Sequence, residues 1–434
     1  MEPNSRKRST LIRPGDGLVI AFFVPVVIMI IIFIQRGIFP FGEESFLRTD
    51  MYHQYAPFFS EFQHKLRTGG SLLYSWDVGM GVNFAALYAY YLASPLNWLV
   101  ILCPKAYIIE FMTGMIVVKI GLSGLSFAWY LRKHCHTETA AVGYFGIFYA
   151  LSGYMAAYSW NIMWLDCIIL FPLIVLGLER LVKDGNGFFY CITLGLSILS
   201  NYYISIMTCL FMVLYFIALL ILEKPGPIKK YVVACVRFGL FSLIAGGLAA
   251  LVLLPEVVVL KSTASGNMNF PKTLTSYFPI FDMLARHIGN VETETGLDHW
   301  PNIYCGVAVF ILPAVPGVQK DLRKGKKRLL RPVADLFCQL LRERPEFYLA
   351  RAPLSQQPPL PPVVYLYFPH VVCLLPGVPV FAGYSQAPCC RGVLGKRLLC
   401  DPGGEAGGAG AFPLCCILRG HPLPGGLYGT HIFI

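Results

Sequence analysis

From Leu18 to Gln35 the chain runs without one charged residue. A helix needs about 20 mostly apolar residues to cross the hydrocarbon core of a bilayer. The run is longer than a signal-peptide core and no small-residue cleavage site follows it, so it is read as a span. Comparable runs follow at Phe111–Leu131, Ala140–Tyr158, Cys167–Val182, Phe188–Tyr202, Ile204–Leu222, Phe238–Leu254 and Ile303–Val318. That makes about eight spans, several of them shorter than the roughly 20 residues a crossing helix needs. In lipid the backbone must satisfy its own hydrogen bonds, and continuous apolar runs do so as helices. The expected fold class is therefore an all-α polytopic membrane protein.

Composition agrees. Apolar types make up 56% of the 434 residues and charged residues 14%, whereas soluble domains carry about 25% charged residues. A soluble enzyme and a disordered chain are excluded. The net charge of +11 is dispersed through apolar sequence, which points to orientation in a bilayer and not to nucleic acid. The 14 Cys follow no disulfide or zinc spacing.

Lys and Arg in short connections mark the cytoplasmic side. They occur at Arg6, Lys7, Arg8 and Arg13, then at Arg132 and Lys133, Arg180 and Lys183, Lys224 to Arg237, and Lys320 to Arg328. The connections at 159–166 and near 202–203 carry none. All the clusters share one side if residues 1–17 are a cytoplasmic N-terminus, 18–318 a bundle, and 37–110 one external loop. Ser94–Cys103, though apolar, is then expected along the interface, because a crossing there would invert the later spans. The last external loop is expected at about 256–302.

This topology places the unusual polar and aromatic residues outside. The first loop holds Asp50, Tyr52, Gln54 and Tyr55, then Trp76 and Asp77, then Tyr90, Tyr91 and Ser94. Trp160, Asn161, Trp164 and Asp166 precede the fourth span; Asn201, Tyr202 and Tyr203 end the fifth; Glu256 and Lys261 follow the seventh. The last loop adds Asp282, Arg286, His287, Asp298, His299 and Trp300. Carboxylates at a bundle mouth are costly to desolvate unless they face a wet cavity or a partner. Aromatic faces beside carboxylates and amides suit a sugar; the alternative is an interfacial aromatic belt. Lys119, inside the second span, either snorkels, faces a polar interior or meets a phosphate. His134 and His136 read as an interfacial polar patch. No Walker A loop, GxGxxG, GxSxG or HExxH is present, so ATP-driven transport and soluble-type hydrolysis have no motif support.

The run Thr49–Phe59 (TDMYHQYAPFF), Tyr74–Gly81 (YSWDVGMG) and Tyr90–Asn97 (YYLASPLN) resembles the first external loop of YfhO-type bacterial membrane proteins. Ser152–Tyr154, Trp164–Asp166, Asn201–Tyr203, Leu254–Glu256 and Pro301–Gly306 follow in the same order, so the likeness covers about 15–312. The resemblance implies a GT-C-like helical bundle with a long first external loop, C-terminally truncated here. It implies a glycosyltransferase of the Gram-positive plasma membrane, active on the outer face. The donor would be a polyprenyl-phosphate sugar and the acceptor an envelope polymer such as teichoic acid. Membrane lipids and a companion glycosyltransferase that makes the donor are the implied partners. By position Asp50 matches the essential loop acid. Tyr52, Gln54, Tyr55, Trp76, Lys119, Trp164, Asp166, Asn201, Tyr202, Glu256 and Lys261 are the candidate substrate-binding residues, with Lys119 or Lys261 at the phosphate. A divalent ion held by Asp50 and Asp77 with Glu43 or Glu44 is left open. A flippase of lipid-linked glycans and a non-catalytic envelope scaffold are the rival functions.

From about residue 313 the character changes. Seventeen of the 31 Pro lie there, with no Asn, Trp or Met and only three Ile. Residues 319–434 read as an aberrant Pro/Gly/Cys-rich tail: either disordered, or, preferred, translated in a shifted frame. Such a chain can be inactive. A long open frame rich in Asn, Ile and Phe past codon 312 of the gene would confirm the shift; repeated stop codons would refute it.

Overall fold

The computed structural model describes residues 14–262, 285–287, 293 and 302–306. Asp282, Asp298, His299, Trp300, the basic N-terminus, most of the expected eighth span and the whole tail lie outside the described residues.

The fold is all-α, and the apolar runs become its helices. The first, α1 (Gly17–Arg36), ends on Gly37 in the left-handed conformation, whose N–H caps the carbonyls of Ile34 and Phe33. Later come α4 (Ile108–His134), α5 (Ala141–Ala150), α6 (Gly153–Tyr158), α7 (Leu165–Asp184), α8 (Phe188–Ser200), α9 (Tyr202–Glu223), α10 (Ile228–Leu248) and α11 (Ala250–Ser262). Among the described residues, α1, α4 (counted from Lys105), α9 and α10 are long and apolar enough to cross a membrane. α7 is as long, but it carries Asp166 and Glu179 in its buried face.

The expected span Ala140–Tyr158 divides into α5 and α6, because the chain breaks at Leu151 and Ser152. The two runs Phe188–Tyr202 and Ile204–Leu222 become α8 and α9, with their boundary at Asn201, whose extended backbone ends α8 while its side chain accepts the Ile204 N–H and caps α9. This is the usual N-cap device for an orphan amide.

α4 is the axis of the bundle. It packs on α1, α5 and α7, and most of its length is buried. Contact with α1 and α5 is close because the facing residues are small. A Cβ on Gly124 would collide with the carbonyl oxygen of Ala21 in α1; one on Gly146 in α5 would come within 2.7 Å of Ala21 Cβ and of the Gly124 carbonyl oxygen. Small residues let membrane helices approach until their backbones touch.

Between α1 and α4 the chain makes a structured excursion. A π-helical turn (Met51–Tyr55) leads into α2 (Ala56–Thr68). A two-stranded antiparallel hairpin follows, β1 (Tyr74–Ser75) and β2 (Val82–Asn83), and then α3 (Phe84–Leu87) and a second π-helical turn (Tyr88–Leu92). The 3-10 helix Pro95–Leu102 bends away from Phe84–Leu92 by 102°. At about 2 Å rise per residue its eight residues reach about 16 Å, half a bilayer core. Gln63 of α2 ties it down by donating to the carbonyls of Val100 and Cys103, each at 2.7 Å.

Candidate functional site

The site grows from one buried ion pair. Lys119 lies at mid-depth in α4 with no solvent exposure. Its ammonium donates to Asp166 Oδ2 at 2.6 Å and to the Ile162 carbonyl at 3.0 Å. The other oxygen of Asp166 accepts from Ser94 Oγ at 2.8 Å. Asp166 sits in the first turn of α7, where the helix dipole favours a negative charge. Each charge is paired and hydrogen-bonded, as burial requires. The pair joins α4, α7 and, through Ser94, the end of the second π-helical turn. Lys119 is thus paired with Asp166 in the bundle interior, the second of the three placements its sequence position allows.

Both π-helical turns carry the motif residues, and π turns recur at functional sites. The turns face each other. Tyr91 donates to Gln54 Oε1 at 3.0 Å, and the Tyr55 and Tyr91 ring centroids are 5.6 Å apart. Tyr55 donates to Asn161 Oδ1 at 2.9 Å and stacks on Trp160 at 6.2 Å. Tyr90 touches Tyr91, Tyr202 and Tyr203, and Tyr203 touches Trp164. Asn201 donates to the Tyr90 carbonyl at 3.0 Å, and Tyr202 to Glu256 Oε1 at 2.6 Å. A connected belt of rings thus runs from Tyr55 to Glu256 and returns through Trp164 and Asn161.

Asp50 stands at its edge, half-buried, at the head of the first π-helical turn. Its carboxylate makes no hydrogen bond or ion pair with the described residues. It is close enough to be felt: burial first, and then Asp50, push the Tyr91 phenol up to about 12. Burial, Tyr90, Tyr91 and Asp50 together raise that of Tyr55.

The structure thus gathers Asp50, Gln54, Tyr55, Trp164, Asn201, Tyr202 and Glu256, with Lys119 and Asp166 beneath. Tyr52 is 64% exposed, against His53. Trp76 is 77% exposed at the hairpin tip, where it touches Tyr74. Lys261 is exposed at the end of α11. Among the described residues no group of three or more His, Cys, Asp or Glu is placed to hold a metal ion, so Asp50, Asp77, Glu43 and Glu44 do not converge on one.

Sequence reasoning omitted Ser94, Tyr90, Tyr91 and Asn161 from the binding set. All four lie in dipeptides rich in Tyr, Trp or Ser-Pro that the motif runs already display. It also missed Glu179. His134 sits in a polar cluster whose carboxylate is Glu179: its Nδ1 lies 2.7 Å from Glu179, which also accepts from Tyr130 at 2.9 Å and Tyr215 at 2.8 Å. This second polar knot joins the far end of α4 to α7 and α9.

A model of the family described as bacterial membrane protein YfhO matches residues 21–338. The chain belongs to the YfhO family. It is thus a membrane protein, as its long apolar helices require. The match runs past residue 312, where the motif likeness alone had stopped, and so moves the boundary of family-like sequence to 338. No curated protein and no solved structure matches the chain.

Proposed function

We propose that this YfhO-family protein is a membrane-embedded glycosyltransferase of the bacterial plasma membrane. It would move a sugar from a polyprenyl-phosphate donor to a teichoic-acid-like envelope polymer on the outer face, with the N-terminus cytoplasmic. The observation that supports it best is the uncommitted carboxylate of Asp50 beside an aromatic belt, while Asp166 is spent on Lys119.

The chemistry asks for little more. An acceptor hydroxyl attacks the anomeric carbon as the bond to the phosphate oxygen breaks. Polyprenyl phosphate leaves with the bonding electrons, and Asp50 takes the hydroxyl proton. A sugar phosphate is a good leaving group and needs no strong general acid. With Lys119 committed, Lys261 is the candidate cation for the departing phosphate.

A positioned general base contributes about 10²–10⁴-fold. Asp50→Asn in the full chain is therefore expected to slow transfer of labelled sugar to polymer by about that factor while leaving the protein folded. Transfer at a near-normal rate would refute the assignment. Label that changes leaflet without reaching polymer would favour the flippase.

A further inference from the structure

Three buried polar atoms around the aromatic belt have no hydrogen-bond partner among the described residues. Asn161 is 2% exposed and spends Oδ1 on Tyr55, but its Nδ2 donates to nothing. Trp164 is 2% exposed and its Nε1 is equally unspent. Glu256 is 5% exposed; Oε1 accepts from Tyr202 while Oε2 accepts nothing. Buried polar groups are nearly always satisfied, and leaving one unmade costs its full desolvation. Here two donors and an acceptor stay open within one connected set of side chains. Asn161 and Trp164 share a turn, closed by the Trp164 N–H on the Asn161 carbonyl. From Trp164 the ring contacts lead through Tyr203, Tyr90 and Tyr202 to Glu256.

Charge narrows the ligand. Among the described residues Glu256 pairs with no side-chain cation, and Asp50 makes no ion pair. Lys119, the ammonium that touches this turn through the Ile162 carbonyl, is already spent on Asp166. A phosphate placed between Glu256 and Asp50 would bring more negative charge to two carboxylates that, among the described residues, have no ion-pair partner. A neutral polyol has both donors and acceptors on each hydroxyl, and its C–H faces stack on aromatic rings. We infer that Asn161 Nδ2, Trp164 Nε1 and Glu256 Oε2, with the Tyr90–Tyr202–Tyr203 rings, form a neutral-pyranose subsite that excludes the phosphate end of the donor. The inference deepens the transferase reading and rests on it for the carrier that delivers the sugar. The subsite itself rests on the three open polar atoms.

The test uses the full-length protein in lipid nanodiscs. Three labelled probes are titrated: a polyprenyl-phosphate hexose, polyprenyl phosphate without sugar, and a short series of methyl glycosides. Trp164→Phe keeps the ring and removes the N–H. Asn161→Asp keeps the acceptor for Tyr55 and removes the donor. Each lost hydrogen bond to a neutral group is expected to weaken the sugar-bearing probes by about three- to tenfold. Affinity for sugar-free polyprenyl phosphate should stay at the wild-type value, which also reports that each variant is folded. Equal weakening of both lipid probes would place the phosphate here and overturn the inference. Unchanged affinity for every probe would overturn it too, since the open atoms would then serve water alone. Binding of methyl glycosides that depends on Trp164 and Asn161, in a protein that transfers nothing, would uphold the subsite and sink the transferase. Transfer by both variants with wild-type affinity would do the reverse.

Discussion

Lys119 and Asp166 show how a charged residue can be legible while its partner is not. The sequence marks Lys119 as unusual because a cation inside an apolar span is costly. It does not say what offsets the cost, because the partner lies 47 residues away. Once paired, the two charges and the Ser94 hydroxyl form a closed set that ties α4, α7 and the end of the second π-helical turn together. Removing one partner of a buried pair typically costs about 3–5 kcal/mol, because the other charge is left uncompensated, whereas removing both is far milder. Lys119→Met is therefore expected to lower the thermal unfolding midpoint in detergent sharply. Adding Asp166→Leu should recover much of the loss. A double variant as unstable as the single would mean that the pair is not the lock described. The motif residues of the two π-helical turns were legible as a set. Asn161 and Ser94 gain their roles only by pairing with Tyr55 and Asp166 across long stretches of chain, which spacing alone does not encode.

At the scale of elements, apolar length located the helices well and charge hid some of their ends. The run read at Phe238–Leu254 begins ten residues inside α10, because Lys229, Lys230 and Arg237 interrupt the apolar pattern but sit exposed along the helix. Leu151-Ser152 breaks a run that hydropathy joins, and at Asn201 capping geometry sets the boundary between two runs that hydropathy already separates. The close packing of α1, α4 and α5 depends on Gly124 and Gly146, which hydropathy does not weigh. Gly124→Ala should force the helices apart, at the cost of about 1–3 kcal/mol typical of overpacking. Gly239→Ala is the control: its Cβ would meet nothing within 4 Å, and the change should gain about 1 kcal/mol of helix propensity. Comparing the thermal midpoints of the two variants checks the packing. A Gly124→Ala protein as stable as the control would show that the α1–α4 contact is looser than described.

For the whole molecule, everything chemical about the site depends on which side of the bilayer holds the 37–107 loop. The belt of rings, Asp50 and the open polar atoms all lie where that loop meets the starts of α7 and α9 and the middle of α11. The Glu179–His134–Tyr130–Tyr215 knot marks the opposite end of the same helices. Buried polar groups thus occur near both ends of the bundle, so their distribution alone does not say which end is outside. Sidedness therefore has to be measured. The hairpin tip is the place to do so: Met80 is 95% exposed beside Gly79, and exposed tips of this kind tolerate insertion. An epitope inserted between Gly79 and Met80 is expected to be stained on intact protoplasts, while one inserted at Asn186, in the turn after α7, should need permeabilised cells. A lipid-linked sugar displayed on the outer leaflet can reach Asp50 only if the first tag is the accessible one. If the pattern is reversed, Asp50 faces the cytosol, and no outer-leaflet donor can meet it.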